Sequence, residues 1–247
     1  MSNELSSLNP DSVLPNPESP SVPWSIWDTV IGFVLFLALA LGIGYLVDLL
    51  PEESWLVSIM VLAYQPLQFL PILIILLFRR AAWADLGFKK AAPNVLALGC
   101  GLVMLAFFVN LVNNLIMFFL GVEVQAQQFG NLLNDLPQPE FLLITGIVLA
   151  PLLEETIFRG FLFGGLRQRL GWGKAALISS AIFGAMHLSL AAFIPTFTLG
   201  LLFTYLYQRS NSLWPGIILH TLINSISLCA LLTLVKYVPQ GLPGLGM

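Results

Sequence analysis

Apolar runs long enough for a bilayer recur along almost the whole chain, at residues 25–47, 55–78, 95–120, 141–166, 175–190, 192–207 and 213–235. A hydrocarbon core about 30 Å thick needs roughly 20 residues of helix to cross it. Inside that core every backbone N–H and C=O has to be bonded within the protein, which restricts such runs to helices or closed barrels. Runs of this length and continuity predict an all-α fold: one polytopic bundle of about seven transmembrane helices, with an eighth, re-entrant or half helix as the alternative count. The composition agrees, because 57% hydrophobic and 9% charged residues lie far outside the soluble globular range. The 247 residues leave no room for a separate soluble domain beside such a bundle. It occupies residues 24–238, and residues 1–23, with five prolines among Ser and Asn and no Lys or Arg, form a disordered tail retained in the mature chain.

The punctuation between runs sets the orientation. Arg79, Arg80, Lys89, Lys90, Arg167, Arg169, Lys174 and Arg209 fall in connections that seven alternating spans place on one side. By the positive-inside rule that side is the cytoplasm, with the N-terminus on it and the C-terminus outside. No basic patch points to nucleic acid; the bilayer itself and a peptide or protein at the membrane are the expected partners. Trp24 and Trp27 sit where interface anchors belong. Gln65, Gln68, Asn110, Asn113 and Asn114 read first as hydrogen-bonding glue between helices. Cys100 and Cys229 fall toward opposite faces, so a disulfide is not expected.

The fourth run departs from this pattern. Glu154, Glu155 and Arg159 interrupt it, with Pro151 just upstream to kink the helix and Gly160 and Gly164 spaced for close approach of a neighbour. A charge at the centre of a membrane helix costs at least about 2.5–3.5 kcal/mol, so three need partners or a function. Glu155 and Arg159 stand i,i+4 in the favourable order for an ion pair. Glu154, about 100° further round the helix, is left to point elsewhere. Both histidines of the chain lie in apolar runs, His187 in the fifth and His220 in the seventh. At 1.5 Å per residue Glu154 lies roughly 18 Å from its helix end, His187 roughly 20 Å and His220 roughly 10–13 Å, with Asn224 one turn deeper. Phe183 shares a face with His187. Three helices thus bring Glu, His and His/Asn to overlapping depths.

Those residue types at one depth suggest peptide-bond hydrolysis. Glu154 with His187 would deprotonate a water, and His220 with Asn224 would hydrogen-bond the oxyanion. A zinc variant stays open, because Glu154, His187 and His220 are also a possible metal-ligand set with a fourth position for water. No H-E-x-x-H occurs. The alternatives are a structural buried ion pair, or a proton relay in a transporter, although no inverted repeat is apparent.

Glu154-Glu155-Thr156-Ile157-Phe158-Arg159, Phe183-Gly184-Ala185-Met186-His187 and His220-Thr221-Leu222-Ile223-Asn224 resemble the EExxxR, FxxxH and HxxxN/D motifs of the CAAX proteases and bacteriocin-processing enzymes. The likeness covers about residues 140–235, and more weakly the Leu86-Gly87-Phe88 connector. These are intramembrane endopeptidases related to the type II CAAX prenyl endopeptidase. The resemblance implies Glu154 as base, Glu155 and Arg159 as its support, His187 as an aid to water activation, and His220 with Asn224 as the oxyanion site. It leaves the cofactor open between Zn2+ and a metal-free glutamate mechanism. It implies prenylated or bacteriocin-like substrates, or, in the non-catalytic alternative, a membrane adaptor or bacteriocin self-immunity protein that keeps the fold.

Overall fold

The computed structural model describes residues 21–51, 55–122 and 138–237, so most of the proline-rich tail lies outside the described residues. Among the described residues the chain is helical with no strand. Helix α1 (Ile26–Asp48) starts at a capping box: Ser25 Oγ accepts the Asp28 N–H, and the Asp28 carboxylate accepts the Ser25 N–H at 2.7 Å. Asp28 also pairs with Arg79 at 2.9 Å, fastening the start of α1 to the end of α2 (Trp55–Phe78). Helix α3 (Pro93–Phe119) opens on a proline, whose missing N–H is no loss in a first turn.

The next apolar segment, Glu140–Ala185, is helical for 46 residues. A straight helix of that length would be roughly 69 Å long, more than twice the hydrocarbon core. It does not run straight. Gly171, at φ 74° and ψ 161°, takes a conformation open in practice only to glycine, and there the chain reverses. The proof is across the hairpin: the rings of Phe158 and Phe183 have centroids 5.0 Å apart, whereas on one straight helix they would be separated by roughly 37 Å. Among the described residues the six long apolar stretches therefore make seven helical legs. We number them on as α4 (139–170), α5 (172–185), α6 (Leu190–Ser210) and α7 (Trp214–Tyr237).

Leg α4 carries two π-helical turns, Thr145–Leu149 and Glu155–Phe163, on either side of Ala150–Glu154. It is also the core. Phe158, Phe161 and Phe163 are buried against Phe33 and Phe36 of α1 and Ile72 of α2. Trp24 is not an interface anchor; it is 1% exposed, stacks on Phe161 and donates its indole N–H to Phe161 O at 3.2 Å. Trp27, by contrast, is 71% exposed. Nor does Gly160 admit a neighbouring helix. A Cβ there would lie 2.9 Å from Leu86 O, so the glycine makes room for the connector between α2 and α3.

That connector knits one end of the bundle. Tyr207 at the end of α6 donates to Leu86 O at 3.1 Å, and the Leu213 N–H at the start of α7 donates to Gly87 O at 2.8 Å. The ends rich in Lys and Arg are therefore gathered on one side. Arg167 is the exception to its sequence placement: it is buried beside Gln208 and Asn211 between the rings of Phe163 and Tyr207, not in an exposed connection. Outward-facing Leu41, Met104, Phe108, Leu111 and Phe119 give α1 and α3 surfaces suited to lipid. Cys100 and Cys229 are exposed, unpaired thiols.

Candidate active site

Glu154 and Glu155 close one segment of α4 and open its second π-helical turn, a feature that recurs at functional sites. Consecutive positions send the two acids to different surroundings. Glu155 points into protein with Arg159 beside it, each side chain 1% exposed and Arg159 Nη1 3.0 Å from Glu155 Oε1. The N–H vectors are not aligned on that oxygen, so this is a charge contact more than a hydrogen bond. The guanidinium rests instead on ring faces, 4.3 Å above Phe183 and 5.5 Å from Phe203. Such contacts stabilise a desolvated cation far better than aliphatic packing does.

His220 reaches this pair from α7. Its Nδ1 is 3.1 Å from Glu155 Oε1, and its ring stacks on Phe203 with centroids 5.2 Å apart. A carboxylate can only accept, so Nδ1 is assigned the hydrogen and Nε2 is turned the other way. There it stands 3.8 Å from Glu154 Oε2. Glu154, with 23% of its side chain exposed, faces a cavity, and its other oxygen accepts from Gln65 Nε2 of α2 at 3.3 Å. One imidazole thus bridges the two acids, one dry and paired, one open.

His187 is not within a helix. The fifth run, expected to continue to Leu190, ends at Ala185, and Leu188 at φ 50° turns the chain into α6. His187 occupies that turn, on the cavity wall, with Nδ1 2.9 Å from Phe183 O. A carbonyl accepts only, so Nδ1–H donates and Nε2 carries the free lone pair, the form suited to taking a proton.

Asn224 also lines the cavity, one turn beyond His220, and its Nδ2 donates to Gly146 O at 2.8 Å. The local helix explains that bond. Ala150 N–H reaches five residues back to Thr145 O; in the same register Gly146 O would receive the N–H of residue 151, which is proline and has none. Asn224 supplies the missing donor and keeps its second amide hydrogen.

The cavity holds about 580 Å³ and is bounded by α2, α3, α4, α6 and α7 together with the His187 turn, with Phe36 of α1 and Phe183 of α5 also lining it. Glu154, His187, His220 and Asn224 all line it, with the Phe183 ring against the two histidines at centroid distances of 5.0 and 6.1 Å. Glu155 and Arg159 stand behind. As a zinc set the residues do not fit in this geometry: among the described residues no three His, Cys, Asp or Glu side chains converge as metal ligands.

Sequence reasoning missed Gln65 as a neighbour of Glu154 and Phe203 as the plate under both Arg159 and His220. A glutamine inside an apolar run beside Pro66 was a visible signal; one more phenylalanine in a hydrophobic helix was none.

The fold and this wall of acids and imidazoles define a class: an integral membrane protein with a glutamate–histidine centre facing an internal cavity. Residues 137–226, which hold all of these motif side chains, match the family model described as type II CAAX prenyl endopeptidase Rce1-like. Through that stretch the chain is similar to the CAAX prenyl endopeptidases. Among curated proteins it is similar to "Putative membrane peptidase YdiL" of Bacillus subtilis, 30% identical over 108 residues that cover 44% of each chain. An Escherichia coli "Uncharacterized 24.3 kDa protein" is 35% identical over 35% of this chain and 42% of its own. The Lactococcus lactis "UPF0177 protein YxdF" is 32% identical over 33% of this chain and 44% of its own. The matches thus span less than half the length of each relative. No solved structure matches.

Proposed function

We propose that the protein is an intramembrane endopeptidase hydrolysing a peptide bond of a membrane-associated substrate, prenylated or bacteriocin-like, from a site reached on the cytoplasmic side. The observation that carries this reading is Glu154, half in the cavity, facing His220 Nε2 across 3.8 Å with the buried Glu155–Arg159 pair behind it. A water beside Glu154 gives a proton to the carboxylate, with His187 Nε2, which lines the same cavity, as the second acceptor. The resulting hydroxide adds to the substrate carbonyl carbon. Negative charge then develops on the carbonyl oxygen, and donors preorganised away from bulk water stabilise it strongly. His220, with both nitrogens protonated, and the second amide hydrogen of Asn224 are those donors. Glu154 returns the proton to the departing nitrogen, the C–N bond breaks, and acid and amine leave.

Arg159 and Glu155 do not touch the substrate in this scheme. Glu155, paired with Arg159, holds His220 by Nδ1 and keeps its Nε2 aimed at the reacting atoms, as an acid orients imidazole in other hydrolases. The test is cleavage of a quenched peptide library, farnesylated C-terminal peptides included, by purified protein in detergent. Glu154→Gln is expected to abolish cleavage while the bundle stays folded; wild-type turnover in that variant refutes the base. Running each assay with and without a chelator separates metal from glutamate chemistry.

A further inference from the structure

Every polar side chain on the cavity wall has to be accounted for, because at membrane depth an unbonded donor or acceptor is a heavy cost. Most are satisfied within the protein. Asn114 donates to Asn110 at 3.2 Å, Asn224 to Gly146 O, and Thr196 to Ala192 O at 2.7 Å. Two are not. Gln65 Oε1 and Gln68 Nε2 are buried with no hydrogen-bond partner among the described residues, although both side chains line the cavity and Gln68 is only 4% exposed. Residues three apart share a helix face, so one face of α2 presents an unpaired acceptor beside an unpaired donor. Gln65 at the same time reaches Glu154 through its Nε2 at 3.3 Å.

We propose that the Gln65–Gln68 edge of α2 is a subsite that binds the main chain of a peptide next to Glu154. An extended peptide offers an N–H and a C=O from one residue on the same side, as paired strands do. Gln65 Oε1 accepts that N–H, and Gln68 Nε2 donates to that C=O. The logic is reciprocal: a peptide entering the cavity brings two unsatisfied groups, and the wall holds the two complementary ones. Pairing them removes four orphaned atoms in one step. The subsite reads backbone and not side chains, so it selects an unfolded, extended segment over a helical one, whose N–H and C=O are already bonded. It also fixes the scissile carbonyl relative to Glu154, because the same Gln65 side chain contacts both. This rests on the peptidase reading for its consequence in turnover, but not for binding.

The variant to make is Gln68→Leu, which keeps size, drops the amide and leaves the Gln65–Glu154 contact intact. Three readouts apply: thermal unfolding in detergent, kcat and KM on a library peptide that the wild type cleaves, and anisotropy of the same peptide carrying fluorescein. The expected result is an unfolding midpoint held or raised, since an unpaired amide is removed, with KM and the peptide Kd both raised about three- to tenfold, the range of one neutral hydrogen bond, and kcat within about twofold. N-methylation of the peptide should raise the wild-type KM at one position near the cleaved bond, and Gln65→Leu should erase that position's effect. A lowered midpoint in Gln68→Leu means the amide is bonded inside the empty protein, and an unchanged KM and Kd means no peptide meets it; either overturns the subsite. Peptide binding that weakens in Gln68→Leu without any cleavage by wild type upholds the subsite and refutes the peptidase reading instead.

Discussion

Asn224 braces Gly146 O and is the proposed oxyanion donor, and one double-mutant cycle separates the two roles. Asn224→Ala removes the only side-chain donor to Gly146 O among the described residues. A buried carbonyl left unsatisfied costs about 1–3 kcal/mol. Hydrogen bonds between helices in bilayers have measured closer to about 0.6 kcal/mol, with a ceiling near 1.7, so a loss of about 1 kcal/mol is expected. For a chain of this size that lowers the unfolding midpoint by about 2–4 °C. Pro151→Ala then provides what Asn224 replaced, a backbone N–H at the position that the five-residue register of Ala150 to Thr145 aims at Gly146 O. In the Pro151→Ala background the Asn224→Ala deficit should therefore shrink toward zero, a coupling of about 1 kcal/mol between residues that share one acceptor. The assay is thermal or denaturant unfolding in detergent of the four proteins, with turnover measured on each. Stability recovers in the double variant, while turnover does not, because the second amide hydrogen is still gone. Additive stability losses refute the brace; recovery of turnover along with stability refutes the oxyanion role.

Other expectations follow from the same packing. Arg159→Ala removes the cation beside Glu155, at 1% exposure, and leaves it only the His220 Nδ1–H among the described side chains; it should destabilise by about 3–5 kcal/mol, and an unchanged unfolding midpoint contradicts the buried pair. Gly171→Ala forces a side chain into φ 74°, ψ 161° with no neighbour within 4 Å. Its cost of about 1–3 kcal/mol is thus purely backbone strain, and a neutral result in unfolding experiments means that the hairpin reverses elsewhere. Phe203→Leu removes the ring stacked on His220 and shared with Arg159. It should lower kcat more than it raises KM, since the substrate does not touch it, and equal effects on both would place Phe203 in the binding surface.

Much of this was legible in the chain itself, and for a physical reason. The bilayer allows few structures, so run length and hydropathy determine how many times the chain crosses, and the clustering of Lys and Arg marks which connections share a side. The price of burying charge made Glu154, Glu155 and Arg159 conspicuous, and helical spacing alone identified Glu155 as the partner of Arg159. What only tertiary structure decided is which groups meet across helices, because no local period encodes that. Gly171 reverses one 46-residue helical stretch by its dihedrals and not by any break in hydropathy. His220 divides its two nitrogens between Glu155 and Glu154, and His187 leaves its helix for a turn. Asn224 mends the gap opened by a proline on another leg, and Gln65, read from sequence as glue, stands against the proposed base. Each of those pairings depends on the relative height and rotation of two helices, which side-chain packing across the bundle sets and the order of residues along either one does not contain.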